Sequence, residues 1–263
     1  MEFKKVNLVY FSATDVSKKY AQAMGKALEK EVVEFDFTVP ENRDPAKAPA
    51  FGKDDLVILA LPIYGGRIPN ICLEYVGALK GDETPCVVIG TYGNRHYDDA
   101  VVEMEDMMNA QGFVVVAGGA VVGRHSFSDN IAGHRPDAAD LEGAAEFIKL
   151  VVAKEGKKLP EGTILGNRPY KEKAAGAPNV LLPSTSDACI DCMLCANTCP
   201  TGVISKENPR EFAKDASFCL RCNSCYVKCP VGAKAFTQEA FKKTQEFCEN
   251  AFGKPDKENL YWL

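Results

Sequence analysis

Two kinds of apolar pattern alternate through the first 154 residues. Near-continuous runs rich in Val, Ile, Leu and Phe fall at 6–11, 32–37, 56–61, 86–90 and 113–122. Between them, apolar residues return at helical spacing over 16–30, 71–79, 100–110 and 141–154; Tyr20, Met24, Ala27 and Leu28 share one face of the first of these. Strands that are apolar on both faces and separated by helices predict a parallel sheet covered on both sides, an α/β fold.

Beyond residue 154 the pattern changes. Residues 155–186 are rich in Lys, Gly, Pro and Ala and read as a linker. Residues 236–252 have the spacing of an amphipathic helix, and the closing Leu260-Tyr261-Trp262-Leu263 is expected to pack on the protein. The stretch 124–137 is a long polar insertion after the fifth strand, a length typical of functional loops or surface decoration. The chain thus divides into residues 1–154, a linker at 155–186, a small domain at 187–240, and a helix with a tail at 241–263.

The small domain repeats itself. Cys189, Cys192, Cys195 and Cys199 recur 30 residues later as Cys219, Cys222, Cys225 and Cys229, and Pro200 and Gly202 recur as Pro230 and Gly232. Each copy reads C-x2-C-x2-C-x3-C-P. Three thiolates at this spacing wrap one face of a [4Fe–4S] cube, and the fourth, before proline, ligates the other cluster. One cluster is therefore expected on Cys189, Cys192, Cys195 and Cys229. The second is expected on Cys219, Cys222, Cys225 and Cys199. Structural zinc is the competing reading. It normally uses paired C-x2-C knuckles, often with His, and 189–229 contains no His. The region resembles bacterial two-cluster ferredoxins, which implies a small α+β fold and one-electron transfer.

Charge narrows the function. The 263 residues carry a formal charge of −5, which argues against a general nucleic-acid binder. Residues 184–240 hold six Lys/Arg and six Asp/Glu, so the surplus acid lies outside the cysteine domain. Free ferredoxins of this type are usually strongly acidic, so the first domain is the expected partner of this one. No apolar stretch approaches the ~20 residues a membrane span needs. The start has neither an apolar h-region nor a small-residue cleavage site. Eleven cysteines with this clustering suit metal in a reducing compartment rather than disulfides. The chain reads as cytoplasmic.

In an open parallel sheet, ligands sit beyond the strand C-termini where the strand order reverses. Three loops of the first domain suit that place. Ser12-Ala13-Thr14-Asp15-Val16-Ser17 follows the first strand and opens a helix, so its hydroxyls and the helix N-terminus suit a phosphate. The same residues would also serve as an ordinary N-cap. Pro62-Ile63-Tyr64-Gly65 and Thr91-Tyr92-Gly93-Asn94, the latter running on to Tyr97, supply aromatics and glycines for a flat ring. Tyr64, Tyr92 and Tyr97 are expected to be exposed rings that need cover. Gly118, Gly119 and Gly123 lack the Lys-Ser/Thr of a P-loop and read as close-packed backbone, and no dinucleotide fingerprint follows a strand.

On these loops the first domain resembles flavodoxin, which implies a five-stranded parallel sheet of order 2-1-3-4-5 and FMN held by the three loops. With the cysteine module, the whole chain resembles the flavodoxin–ferredoxin fusions of anaerobes. Asp15-Val16 stands where flavodoxins typically carry Gly-Asn. A carboxylate beside a dianionic phosphate is unfavourable unless it turns away.

The resemblance implies an electron carrier joining FMN to two [4Fe–4S] clusters and serving other redox proteins. The alternative is a flavin-dependent reductase of a small molecule, with His125 as the candidate catalytic residue among the loop histidines His96, His125 and His134. Cys72 and Cys86 read as core, and Cys248 as inert.

Overall fold

The computed structural model describes residues 1–173 and 181–263. Part of the expected linker, residues 174–180, lies outside them. The first half alternates strand and helix: β1 (Lys5–Tyr10), α1 (Val16–Ala27), β2 (Glu31–Asp36), β3 (Asp55–Pro62), α2 (Asn70–Ala78), β4 (Thr84–Tyr92), α3 (Ala100–Ala110), β5 (Phe113–Val122) and α4 (Ala138–Ala153). β1 pairs in parallel with both β2 and β3, β3 with β4, and β4 with β5. The order 2-1-3-4-5 is flavodoxin-like, and its reversal point lies between β1 and β3.

The continuous apolar runs explain why these strands are central. β3 is buried over six consecutive residues, as a strand covered on both faces must be. One apolar layer joins α2 and α3 to the sheet through Val76, Val101 and Met104. The other joins α1 and α4 through Tyr20, Met24 and Phe147. At the free edge, β2 exposes Glu31 and Glu34, charges that discourage further strand pairing.

The opposite edge is covered by the C-terminus. Leu260–Trp262 forms β8, antiparallel to β5, with Tyr261 opposite Gly119. A sixth strand is thus added to the five expected. Tyr261 stacks on Phe147 at 4.3 Å. A Cβ on Gly119 would stand 3.0 Å from Tyr261, so the small residue admits the tail.

The described part of the expected linker, 155–173, is strapped to the first domain. Leu159 donates its N–H to Val115 at 2.9 Å, and Ile164 is buried against Gly118. Asp99 accepts the N–H groups of Asn167 (2.7 Å) and Lys171 (2.6 Å). Isolated anchors in a Lys- and Gly-rich stretch have no periodicity, which is why the pattern reads as linker.

The cysteine region contains β6 (Ser184–Thr185), α5 (Leu194–Asn197), α6 (Ser224–Val227) and β7 (Lys234–Ala235), with β6 antiparallel to β7. α7 (Glu239–Phe252) then leads to the tail. The region is fastened to the first domain at several points. Arg43 donates to the Pro200 carbonyl at 2.8 Å, and Lys206 pairs with Glu41. Among the described residues, no helix is long and apolar enough to cross a membrane.

Candidate functional site

The 30-residue repeat is visible in the backbone. Asp191 and Arg221 have φ of 52° and 53°, Met193 and Asn223 63° and 59°, and Gly202 and Gly232 both 62°. Non-glycine residues adopt this left-handed conformation at a cost, and it clusters at functional sites. Here it curls each Cys-x2-Cys-x2-Cys segment around a centre. Cys189, Cys192, Cys195 and Cys229 line one cavity, and Cys199, Cys219, Cys222 and Cys225 line another. Each group draws three cysteines from one repeat and one from the other. Among the described residues, no trio of His, Cys, Asp or Glu converges as a single ion requires. Thiolates around a multi-atom cube stand farther apart than around one ion.

Burial pushes the Cys222 thiol up to about 12, so a metal binding there would have to displace a tightly held proton. For Cys229, burial acts upward but the N–H groups of residues 231–234 outweigh it, and the thiol lies below its ordinary value. The Ala233 N–H stands 3.1 Å from the Cys229 sulfur. Lys234 is almost fully buried in the wall of the first quartet. Its ammonium donates to the Thr185 hydroxyl and the Pro209 carbonyl.

Beyond the C-terminal ends of β1, β3, β4 and β5 lies a cavity of about 360 Å³, within the size range of cofactor sites. Of the six residues of the first loop, Ser12, Ala13, Thr14, Val16 and Ser17 line it. Helix starts leave N–H groups without intrahelical partners, and Ser12 Oγ accepts one of these, from Lys18, at 3.0 Å. The Ser17 and Thr91 hydroxyls pair at 2.7 Å. Pro62, Ile63, Tyr64 and Gly65 form one side, and Thr91, Tyr92 and Gly93 another.

Three of the expected loop residues stand elsewhere. Asp15 is outside the wall. It has φ of 63°, does not cap α1, and pairs with Lys228 at 3.0 Å. Asn94 donates to the carbonyls of Phe252 (2.6 Å) and Pro255 (3.1 Å) and accepts from the Lys257 N–H (2.7 Å). Tyr97 lies edge-on to Trp262 at 5.5 Å. Tyr92 and Tyr97 are buried, contrary to the expected exposure: Trp262 of the C-terminal segment lies edge-on to Tyr97, and Tyr97 edge-on to Tyr92.

Further walls come from outside these three loops, and the particular residues supplied by the second repeat and α7 were not legible in the sequence. Leu220, Arg221 and Cys222 enter from the second repeat, and Cys248 and Phe252 from α7. Cys222 and Leu220 join Tyr64 in one apolar cluster. Arg124 and His125, from the insertion after β5, also line the cavity. Burial, helped by the Arg124 charge, pushes His125 down to about 4, so it is neutral at ordinary pH. Its Nδ1 accepts the Phe127 N–H at 3.1 Å, which assigns the proton to Nε2. His96 lies in the same wall, whereas His134 pairs with Asp256 outside it. Cys72 and Cys86 are core, as expected.

This wall suits a flat, phosphorylated ligand. A Cβ on Gly93 would stand 2.7 Å from His125, so the fourth-strand loop closes tightly on the insertion. Arg124 Nη1 is buried and has no hydrogen-bond partner among the described residues. An anion in the cavity would give it one.

Residues 188–233 match the 4Fe-4S dicluster domain. A comparison with curated protein sequences returned no match. Among solved structures, the chain is similar to a flavodoxin from the domain Archaea at 14% identity, covering 57% of this chain and 96% of that one with a TM-score of 0.39. It is also similar to the flavodoxin of Streptococcus pneumoniae TIGR4, at 18% identity, 56% and 97% coverage and a TM-score of 0.40. A third likeness is to an azoreductase from Bacillus anthracis Sterne, at 15% identity, 56% and 100% coverage and a TM-score of 0.41. By its own strand order and the family match, the chain joins a parallel α/β sheet of order 2-1-3-4-5 to a 4Fe-4S dicluster segment.

Proposed function

We propose that this chain is an electron-transfer protein in which FMN in the 360 Å³ cavity exchanges electrons with two [4Fe–4S] clusters. FMN handles one or two electrons and each cluster one, so the assembly would connect two-electron and one-electron partners. The observation that carries the reading is Cys222, which stands in the wall of the cavity and in the wall of the second cysteine quartet. A cluster held there would be separated from the cavity by a ligand side chain alone. Leu220 and Tyr64 pack with Cys222 in one apolar cluster. The other quartet faces outward: Cys192 is exposed, and Ile190, Leu194 and Val231 beside it are 61%, 40% and 40% exposed. Redox partner proteins would meet that end.

Purification without oxygen, followed by iron, sulfide and flavin analysis, tests the reading. Eight iron atoms and one FMN per chain are expected. Bound zinc, or a full complement of iron with no affinity for added FMN, would contradict it. A reductase of a small molecule is the second reading, favoured by the neutral His125 with its Nε2–H in the cavity wall. Substrate-dependent oxidation of the reduced protein, abolished by His125→Gln, would establish it.

A further inference from the structure

We propose that the dicluster segment completes the phosphate site of the first domain: Lys228 neutralises Asp15, and Arg124 and Arg221 meet the anion. The inference rests on the FMN reading above and concerns what that site is made of.

Asp15 is the starting point. It stands in the loop that would take a phosphate, and an unpaired carboxylate there would repel it. The chain turns Asp15 out of the cavity by the left-handed backbone at φ 63° and leaves it without a cap role on α1. Its partner is Lys228 at 3.0 Å, one residue past α6. The Lys228 side chain is 16% exposed and Asp15 44%, so the cation is committed to this contact more than the carboxylate is. A residue of the second domain thus removes the repulsion built into the first.

The remaining charge comes from both sides of the same junction. Gly123, immediately before Arg124, packs on the first turn of α1: a Cβ there would stand 2.2 Å from Val16. This brings the start of the insertion against the hydroxyl loop. Arg124 pairs through Nε and Nη2 with Asp129. Asp129 in turn accepts the Tyr226 hydroxyl at 3.0 Å. The guanidinium lies 5.6 Å from the Tyr226 ring. Tyr226, a dicluster residue, therefore holds Arg124 in place while Nη1 is left buried and unpaired. Arg221 lines the same cavity and has no acidic partner among the described residues. A hydroxyl loop with a helix N-terminus binds phosphate unaided elsewhere. In this chain the loop carries a carboxylate; Lys228 and Arg221 arrive with the docked dicluster segment, and Arg124, from the first domain, is held at the cavity by Tyr226 of that segment.

Titration of the full, cluster-loaded and flavin-free protein with FMN and with riboflavin separates a phosphate effect from a ring effect. Lys228→Gln is expected to weaken FMN at least about tenfold, and Arg124→Gln by a similar factor, with riboflavin unchanged. Asp15→Asn in the Lys228→Gln background is expected to restore FMN binding. That rescue, at unchanged iron content, distinguishes charge from misfolding. If wild type binds FMN but Lys228→Gln weakens FMN and riboflavin equally or neither, or if Asp15→Asn gives no rescue, the inference fails and the FMN reading stands. If wild type does not bind FMN, the FMN reading fails and the inference with it.

Discussion

Asn94 offers a prediction that separates two roles for one residue. Sequence alone puts it in a flavin loop, whereas the structure ties it to the C-terminal segment. Its amide donates to Phe252 and Pro255 and accepts from Lys257, and it is 1% exposed. Asn94→Ala removes three partly buried hydrogen bonds, each worth about 0.5–1.5 kcal/mol net. It also forces Ala to hold φ of 60°, which costs roughly 1 kcal/mol more. The sum is about 4 kcal/mol. At ~2–4 °C per kcal/mol for a chain of this size, the melting temperature should fall by roughly 10 °C. Asn94→Gly tolerates the same backbone and should cost about 1 kcal/mol less than Ala. Circular dichroism melts of the three proteins provide the assay. Phe252 lines the cavity, so the Ala variant should also weaken FMN and riboflavin by the same factor. An Ala variant that melts within about 2 °C of wild type, or loses FMN affinity alone, would refute the assignment.

Three further outcomes follow from the same geometry. Cys199→Ser should destroy the cluster at Cys219, Cys222 and Cys225, and Cys229→Ser the cluster at Cys189, Cys192 and Cys195; electron paramagnetic resonance showing loss of the local cluster instead would reverse the ligation. Lys234 is a buried cation with neutral hydrogen-bond partners in the first quartet's wall, so Lys234→Met should shift that cluster's midpoint potential negative in a spectroelectrochemical titration; no shift would mean that the charge is screened. His125 has a folded pKa near 4 against about 6.5 unfolded, so it binds fewer protons when folded, and stability is lost as pH falls from 6.5 toward 4 with no contribution above that window; His125→Gln should flatten the stability–pH slope there and leave it unchanged at pH 8.

The parallel sheet was legible because its strands are buried on both faces and so are continuously apolar; β5 and α3 begin and end where the pattern predicts. The Cys-x2-Cys-x2-Cys runs were legible because their spacing is local, and the thirty-residue repeat pointed to the fourth cysteine that lines each cavity. What escaped was set by contacts distant in sequence. Lys228 lies 213 residues from Asp15, so nothing near Asp15 signals its neutralisation. The Tyr97 and Asn94 loop has the composition of a ring-side loop, but the C-terminal segment occupies it. A three-residue strand such as β8 is too short for alternation to register. Arg124 and Tyr226 are unremarkable residues until docking brings them together.

The central claim is that flavin and clusters form one fixed electron-transfer unit, joined where Cys222 meets the cavity. Stopped-flow reduction of the clusters in FMN-loaded protein, followed at the flavin absorbance over a wide range of protein concentrations, tests it most directly. A flavin reduction rate that does not change with concentration is the expected result. A rate that rises in proportion to concentration would mean that electrons pass between molecules, and would contradict it.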